Sequence, residues 1–496
     1  MAKSIHQRIV FGLKVRQHRQ DRGWNFEELA KRTQMSVSYL NEIEKGKKYP
    51  LADNLNRLAE ALEVSPEYLA SAELPKPLAP LGDLLQSNFL NELPLDLFGI
   101  ELQQVVEIIA RAPDRVNAFI SALLEIARNY SLRDENFYFA ALRAYQELHM
   151  NYFEDIEQAA ETFVQEHRLP VNGGVPAEQL AKILKKRFGY KFDDEGLDKY
   201  PELASLRSVF VPHKKRLLLN PRLSERQRAF QLGKELGFNV LELDDRPLAS
   251  NLMRVRSFEE VLNNYRAAYF SVAILINRQA FVKDLRTFFE QTRWNGPLLL
   301  EMLAKYQASP EVLFQRFNVL SKEFNLHKVF FQRFIHDLDR DGFDMDKELH
   351  LNRRHQPHAS GLNEHYCRRW LSLTLLDDLR ARQQEAGRPD TDWIAGVQRA
   401  QFIDSGEEYL CFAVAKPGYP TPNRNVSVTL GILLDQDARR TIRFWNDAAI
   451  PRQRVNVTCE RCALADCAER AAPPSVVRKR ETRRRIEEVL HKLTGK

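Results

Sequence analysis

The chain has 496 residues, of which 44% are hydrophobic and 28% are charged, and its formal net charge is +6. This composition is that of a globular protein with a hydrophobic core, and the length predicts about three or four structural units. The longest apolar run, 267–276, is too short to span a bilayer, and the first residues lack the apolar segment of a signal peptide. We therefore expect a cytoplasmic protein with no membrane partner.

The positive charge is concentrated at the two ends of the chain. Residues 1–50 carry 11 Lys and Arg against 5 Asp and Glu, and residues 476–496 carry 8 against 3. Basic ends on an acidic body indicate a polyanionic partner at those ends. For the tail, a solvent-exposed terminal helix with Arg–Glu pairs explains the same residues equally well.

The first 73 residues predict five short helices. Asn25 is an expected N-cap for the second helix, and Ser36 is one for a third helix that Gly46 ends. The second helix, a short turn and the third helix have the spacing of a helix-turn-helix, in which the later helix enters the major groove of DNA. A five-helix bundle that binds a protein is the alternative.

The segment 11–64 resembles the Xre/Cro repressor family and includes the Ile43-Glu44-Lys45-Gly46 ending typical of it. The resemblance implies a DNA-binding domain over 1–73 that binds a double-stranded DNA operator. It places the start of the third helix against bases and nearby basic residues against phosphates. The implied residues are Ser36, Val37, Ser38, Tyr39 and Asn41 on the recognition helix, and Arg16, Lys45, Lys47 and Lys48 at the phosphates. Phe26 replaces a Gln common in the family, so we expect Phe26 in the core.

The middle of the chain begins with a predicted linker and a helical region. Three prolines within 74–84 predict the linker, and 85–170 has a helical pattern. Two short strands that turn at Pro212-His213 follow, and then a helix over 223–241.

The helix over 223–241 contains FQLGKELGFNVL, which resembles a zinc-protease helix without its histidines. Lys234 and Phe238 stand where the motif His-Glu-x-x-His has its two imidazoles. Glu235 remains, but a general base needs a metal-bound water to activate. An ordinary amphipathic helix explains the same residues, and we assign no catalytic residue.

The block 175–241 resembles the ImmA/IrrE metallopeptidase-like domain. The positions that fit its motif are Arg228, Phe230, Glu235 and Gly237. Arg266 stands where the family has an acidic third ligand. The resemblance implies a degenerate domain, with its following helices, over 171–345. A small-molecule pocket and a plain connecting scaffold remain the two roles open to it.

Helices are predicted from 258–277 to about residue 340, and the last 150 residues mix helix with strand. Alternating patterns predict strands over 408–417 and 426–435. The predicted fold class is mainly α with α+β portions.

The cysteines form the second chemical signal of the sequence. They are Cys367, Cys411, Cys459, Cys462 and Cys467. The spacing of the last three predicts thiolate ligands for zinc or an iron–sulfur cluster. Cys367 is the best candidate for a fourth ligand and His365 the second, whereas Cys411 lies in a strand pattern typical of a buried structural thiol. Three free thiols near a loop are the alternative.

The order of these segments, ending in C-x-x-C-x4-C-x-x-R-A-x-P, resembles the short-chain fatty-acyl transcriptional regulators. This resemblance implies a sensor domain over 346–475, before the basic tail 476–496, in which Cys459, Cys462 and Cys467 hold an iron–sulfur cluster. A 4Fe–4S cluster is one form, and zinc is the alternative. It associates the sensor domain with a short-chain acyl-CoA as the small-molecule effector.

We expect a homodimer that binds a palindromic operator. Binding of the effector, or a change in the state of the cluster, would change the spacing of the two DNA-binding domains, called the heads below. A regulator-protease and a DNA-bound scaffold with a structural metal site are the alternatives.

Overall fold

The structure is a computed structural model. It describes residues 5–71, 134–250, 255–339, 342–351, 364–388, 393–418 and 423–494. The predicted linker 74–84, and the part of the predicted connecting region before residue 134, lie outside these ranges. The chain divides into two compact units, Met1–Ala141 with Arg256–Glu259 and Leu142–Val255 with Glu260–Lys496.

Five short helices form the described part of the N-terminal unit up to residue 71. They are α1 (Ile5–Asp21), α2 (Phe26–Thr33), α3 (Val37–Glu44), α4 (Ala52–Ala61) and α5 (Pro66–Ala70). Leu29, Leu40 and Ile43 are fully buried, and they share one apolar core with Phe11 and Leu58. The five predicted helices are confirmed.

Gly12 allows α1 to lie directly against the end of α3. A β-carbon at this position would lie 2.3 Å from the carbonyl oxygen of Ile43 and 2.8 Å from that of Glu44. Both atoms belong to the backbone and cannot move away without shifting α3. The placement of α3 therefore depends on the absence of a side chain at residue 12.

The remaining described elements alternate helices with two groups of strands. The helices are α6 (Asp134–Leu148), α7 (Glu154–Glu166), α8 (Ala177–Phe188), α9 (Glu225–Val240), α10 (Phe258–Leu275), α11 (Arg278–Phe289), α12 (Gly296–Lys305), α13 (Pro310–Arg316), α14 (Val319–Glu323), α15 (Leu371–Ala386), α16 (Gln436–Thr441) and α17 (Ser475–Thr494). The strands are β1 (Lys191–Asp193), β2 (Ser208–Val211), β3 (Arg216–Leu219), β4 (Val329–Asp337), β5 (Phe343–His350), β6 (Ile394–Phe402), β7 (Glu408–Pro417), β8 (Arg424–Leu433) and β9 (Arg452–Val455). Among the described helices, none is long and apolar enough to cross a membrane.

A small three-stranded sheet precedes α9 and has the order β1-β3-β2. Strands β2 and β3 pair antiparallel across the turn at Pro212, as predicted, while β1 pairs parallel with β3. Ser224 caps α9 in a capping box with Gln227, which explains why the helix begins where the polar turn ends.

The second sheet has six strands in the order β5-β4-β8-β7-β6-β9. Its pairs are antiparallel except for β6 with β9. Strands β7 and β8 confirm the two strands predicted from alternation. The prediction of helices up to about residue 340 is wrong at β4, where Val329–Asp337 alternates between two covered faces. The domain boundary predicted at residue 345 falls inside β5.

The six-stranded sheet is covered on both faces, which gives two apolar cores. Phe412, Val428 and Leu430 belong to the core shared with the helices before the sheet. Phe334 and Ala413 belong to the other core, with α15. Opposite faces follow from the alternation of side chains along each strand. The predicted mainly α chain with α+β portions is confirmed.

The basic tail forms α17, a helix in which no residue is buried. Arg483 pairs with Glu487 and Arg484 with Glu488, each one helical turn apart. The tail therefore has the form of a solvent-exposed helix with Arg–Glu pairs.

Candidate nucleic-acid interface and cysteine site

The geometry of α2 and α3 is that of a helix-turn-helix with both N-termini capped. The Asn25 side chain accepts a hydrogen bond from the Glu28 amide, and that of Ser36 accepts one from the Tyr39 amide. Gln34 adopts the left-handed conformation that ends α2. The predicted caps at Asn25 and Ser36 are confirmed.

The structure exposes the start of α3 and buries its other face. Ser36, Val37 and Ser38 are exposed, whereas Leu40 and Ile43 are fully buried. Val37 is 42% exposed. The exposed surface at the start of α3 is therefore the surface that a recognition helix presents to base edges.

The other predicted contact residues surround this surface to different degrees. Tyr39, Asn41 and Arg16 are half-buried. Lys45, Lys47 and Lys48 are exposed after α3. The structure thus places three exposed basic side chains directly after α3, and the Nζ of one of them, Lys48, lies 5.9 Å from the centre of the Tyr39 ring.

One of these lysines is already paired. Lys48 Nζ lies 2.7 Å from a Glu42 carboxylate oxygen. The hydrogen bond to Glu42 raises the pKa of Lys48, and the same bond lowers the pKa of Glu42. Lys48 therefore offers less free positive charge to a phosphate than Lys45 or Lys47.

Two basic residues counted in the charge of the head point inward. Lys14 is fully buried and donates to the carbonyl oxygens of Tyr68 and Ser71. Arg19 binds Glu44 through two hydrogen bonds of 2.6 and 2.9 Å. These residues stabilise the bundle, and net charge along the sequence gave no means of separating them from the exposed lysines.

Phe26 packs against the core of the head. The guanidinium of Arg19 lies 4.3 Å from the centre of the Phe26 ring. Phe26 is half-buried, and its packing against the core agrees with the expectation that it is a core residue.

The protease-like helix α9 holds its glutamate in a buried ion pair. Arg246 Nη2 lies 2.7 and 2.8 Å from the two carboxylate oxygens of Glu235, which is 5% exposed. Tyr190 donates a third hydrogen bond, of 3.0 Å, to this carboxylate. The guanidinium also lies 3.9 Å from the Phe238 ring centre and 4.3 Å from that of Phe210. Glu235 is therefore enclosed and charge-paired, and its carboxylate is not available as a general base.

The residues at the two lost histidine positions are buried as well. Lys234 is 7% exposed and Phe238 is 4% exposed. Burial lowers the pKa of Lys234 to about 7, while its neighbour Glu235 acts in the opposite direction. Arg266, at the place of the expected acidic ligand, pairs instead with Asp155 on α7 at 3.3 Å.

Arg246 is the functional residue of this region that the sequence did not indicate. It follows α9 in a loop and belongs to no motif, so only the fold shows that its side chain returns to Glu235. Gly237 lies where α9 packs closely against α10. A β-carbon at this position would lie 2.8 Å from the Ala267 carbonyl oxygen, so the close packing requires a residue without a side chain. The match of Gly237 to the family motif thus has a packing reason.

The cysteine region joins two distant segments of the chain. The Cys367 amide donates to Val457 O at 3.2 Å, and the Cys459 amide donates to His365 O at 2.8 Å. Cys367, Cys459 and Cys462 are all buried. Burial raises the pKa of the Cys367 thiol, and the neighbouring charges of Cys459 and Cys462 raise it further. The structure therefore pairs the segment that carries the predicted fourth ligand with the segment that carries Cys459.

The remaining candidate ligands differ in exposure and in hydrogen bonding. Cys467 is partly exposed. His365, the second candidate for a fourth ligand, is held through Nδ1 by Glu460 at 2.8 Å. Cys411 lies in β7, and burial raises the pKa of its thiol to about 12, as expected for a structural thiol. Within the ranges that the structure describes, no three His, Cys, Asp or Glu side chains converge in a metal-binding arrangement. The metal site stays a prediction.

Arg470 organises the loop that carries the cysteines. Its guanidinium donates to the carbonyl oxygens of Cys459 at 2.9 Å and Cys462 at 3.3 Å, and to that of Leu464. The Ala471 amide donates a hydrogen bond to the Cys459 sulfur at 3.4 Å. Arg470 lies inside the predicted motif, but its role in holding the loop depends on contacts that spacing cannot show.

Comparisons with known proteins agree with the predictions for the N-terminal domain and for the ImmA/IrrE-like block in the middle of the chain. A helix-turn-helix family model matches residues 15–69, and a model of the IrrE N-terminal-like domain matches 199–318. The HTH-type transcriptional regulator PrpR of Mycobacterium tuberculosis (strain ATCC 25618 / H37Rv) is 26% identical over 246 residues, which are 47% of this chain and 48% of that protein. The chain thus aligns with about half the length of that relative.

A solved structure, a Mycobacterium tuberculosis transcriptional regulator, is 20% identical with a TM-score of 0.46 and covers 68% of this chain and 94% of its own. The Xre-type helix-turn-helix and the ImmA/IrrE-like domain predicted from the sequence are confirmed by the family models.

Proposed function

We propose that the chain is a cytoplasmic, sequence-specific DNA-binding transcriptional regulator that acts as a homodimer. The observation that carries this proposal is the capped, exposed start of α3 above a fully buried Leu40 and Ile43. The helix-turn-helix match and the similarity to a transcriptional regulator support it. A two-fold pair of heads would fit two half-sites about one DNA turn apart.

The side chains at the start of α3 suit direct contact with bases in the major groove. The apolar Val37 side chain fits the methyl group of thymine, and the Asn41 amide fits the paired donor and acceptor of adenine. Lys45 and Lys47 would bind phosphates without choosing sequence. Affinity and specificity therefore rest on different residues of the same short segment.

The C-terminal domain would be the sensor in this proposal. The cysteines that would hold an iron–sulfur cluster, or alternatively zinc, are Cys367, Cys459, Cys462 and Cys467. Three observations support the fit: the pairing of the two segments, the amide donated to the Cys459 sulfur, and the Arg470 bonds to the loop carbonyls. An iron–sulfur cluster would supply sensitivity to oxidation, whereas zinc would only stabilise the loop.

A short-chain acyl-CoA is the proposed effector, and its support is the resemblance of the whole chain to the short-chain fatty-acyl regulators. Binding would change DNA affinity by favouring one spacing of the two heads over another. The protease-like domain would connect the sensor to the heads without catalysis, because Arg246 occupies the carboxylate of Glu235.

Selection of genomic fragments from a DNA pool tests the proposed function. The wild-type protein should enrich fragments that share a palindromic site, and the neighbouring genes would indicate the pathway. Asn41→Ala should lose that enrichment, while Asn56→Ala, an exposed residue of α4, should keep it. Recovery of random fragments by the wild-type protein would contradict the proposal.

Metal analysis tests the sensor part separately. Iron and inorganic sulfide that disappear in Cys459→Ser, but remain in Cys411→Ala, would support the cluster. One zinc per chain with no iron would support a structural site. Protein without either metal, isolated without oxygen, would refute the cysteine assignment.

A further inference from the structure

A group of basic side chains in the C-terminal unit carries more charge than its surroundings neutralise. This basic cluster consists of Arg207, Lys234, Arg333, Lys347 and Lys416. Among the described residues, two carboxylates, Glu311 and Asp346, lie among these five cations and leave a formal surplus of three positive charges. Its members come from the segment before β2, from α9 and from β4, β5 and β7.

The sheet places three of these cations on one face. Arg333 in β4 is the direct neighbour of Lys347 in β5 and of Val428 in β8. Lys416 in β7 is the neighbour of Val426, two residues before Val428. Because side chains alternate between faces, all three cations point to the same side. This is the face of the sheet whose apolar residues join the core of the preceding helices.

Part of the charge is balanced from α13 and β5. Glu311 Oε1 lies 3.4 Å from Arg333 Nε and 3.8 Å from Lys416 Nζ. Asp346 Oδ2 lies 2.9 Å from Arg333 Nη1. Burial raises the pKa of Glu311, but Lys416, Arg333 and Arg207 outweigh it and hold that pKa well below the usual value.

The surplus therefore rests on Arg207, Lys234 and Lys347. None of the three forms an ion pair within the part of the chain that the structure describes. Lys234 is 7% exposed, and its Nζ lies 5.7 Å from the centre of the Phe238 ring. Lys347 is exposed and connects the cluster to solvent.

The pKa values of Lys234 and Lys347 are both lowered in this cluster. Loss of hydration among these charges lowers the pKa of Lys347, although part of the residue is exposed, and Arg333 and Arg207 lower it further. For Lys234, burial is again the largest cause of a pKa of about 7. The groups around Lys234 are Glu235, which opposes this shift, and Arg246, Lys347 and Arg207, which add to it.

We infer that the basic cluster is a binding site for a small anion with at least two negative charges, either a phosphate group or a di- or tricarboxylate. A buried cation such as Lys234 needs a counter-charge, and among the described residues two carboxylates, Glu311 and Asp346, face the five cations of the cluster. Arginine side chains bind carboxylate and phosphate oxygens in a two-pronged geometry, and lysines add point charges. An anion between Lys234 and Lys347 would connect α9 with the sheet. The site needs neither DNA nor the cysteines, so its test is independent of the proposed function.

Anion binding should couple to proton uptake. A bound dianion would favour the charged form of Lys234 and Lys347, so the complex would take up protons between pH 7 and 9 and fewer at pH 6. Calorimetry in two buffers of different ionisation enthalpy measures this uptake. Proton uptake that does not change between pH 6 and 8 would overturn the placement of the anion beside Lys234.

The full-length protein is titrated with inorganic phosphate, succinate and citrate, with chloride at matched ionic strength as the control. We expect saturable binding of at least one anion, and a rise in Tm of roughly 5 °C at a hundredfold excess over Kd. A response to phosphate alone identifies a phosphoryl ligand, and a response to the carboxylates alone identifies a carboxylate ligand. No saturable response to any of the three overturns the inference.

Two variants locate the site. Lys234→Met should fold at least as well as the wild type and bind the anion about 30-fold more weakly or worse. Lys347→Gln, at the solvent side, should weaken binding without disturbing the core. Lys283→Met, an exposed lysine of α11, should bind like the wild type. Equal affinity in the wild type, Lys234→Met and Lys347→Gln would place the anion elsewhere and overturn the inference.

Discussion

Helices α3 and α9 both resemble a functional helix of a known family, but the structure treats their functional faces in opposite ways. The start of α3 is capped and exposed, with polar and small side chains toward solvent. The corresponding face of α9 is enclosed, because Arg246 binds Glu235 and lies against the Phe238 ring. The comparison shows that a motif predicts function only when its side chains remain accessible to a ligand.

The two helices also differ in how they use charge. Around α3, inward-pointing Lys14 and Arg19 stabilise the head, and the exposed lysines remain for phosphates. In α9, the guanidinium of Arg246 pairs with the Glu235 carboxylate. A metalloprotease would use the corresponding carboxylate as the general base that activates its metal-bound water. The first arrangement keeps a binding surface, and the second gives the carboxylate a structural role.

Breaking the Arg246–Glu235 pair should have the largest effect on stability. Arg246→Met leaves a buried carboxylate without its partner, and we expect a loss of about 3–5 kcal/mol in the free energy of unfolding of the C-terminal unit. Urea denaturation measures the loss. The double variant Glu235→Leu with Arg246→Met should recover most of it, because no unpaired charge remains. A single variant as stable as the wild type would show that the pair does not hold α9.

The buried face of α9 should also make the free energy of unfolding depend on pH, which the exposed start of α3 should not. Lys234 has a pKa of about 7 in the folded chain, below its value in the unfolded chain. Between these values the unfolded chain binds a proton that the folded chain does not, so stability should rise with pH above 7. We expect Lys234 to contribute about 2 kcal/mol of increase between pH 7 and 9.

Denaturation of Lys234→Met across this pH range provides the check. The variant should show a flatter profile than the wild type, whereas Lys283→Met should keep the full slope. Identical slopes in the wild type and Lys234→Met would contradict the lowered pKa.

Specific DNA binding depends on α3 and should be the next largest effect. Asn41→Ala should weaken binding to the selected operator by about 1–3 kcal/mol, which is roughly 5- to 150-fold, with little change on random DNA. Fluorescence anisotropy at one fixed salt concentration measures both affinities. Asn56→Ala is the matched control. An equal loss on operator and random DNA would assign Asn41 to the phosphate backbone instead.

The Lys48–Glu42 pair predicts the smallest effect. Lys45→Ala should reduce the slope of log affinity against log salt by about 0.9, as one lost phosphate contact does. Lys48→Ala should change that slope less, because Glu42 already pairs with Lys48. Glu42→Gln should strengthen binding to any DNA by releasing Lys48. Equal salt slopes for Lys45→Ala and Lys48→Ala would show that the pair opens on DNA.

The parts of the fold that the sequence predicted are those with local signals. The predicted caps at Asn25 and Ser36 and the alternation in β7 and β8 are contained in a few neighbouring residues. Strand β4 was predicted as helix, because a strand covered on both faces lacks a clear alternation between polar and apolar residues. The bond from Cys367 to Val457 joins segments far apart in the chain, whereas Arg246 and Arg470 reach their partners through irregular loops. Spacing along the sequence does not show the path of either kind of segment.

Site-specific crosslinking tests most directly the central claim that α3 contacts bases. A photoreactive side chain at position 38 should crosslink to defined bases within the selected operator, at two symmetric half-sites. The same side chain at position 182, an exposed lysine of α8, serves as the control and should give no base-specific product. Crosslinks from position 38 that are absent, or spread evenly over any DNA, would contradict the account.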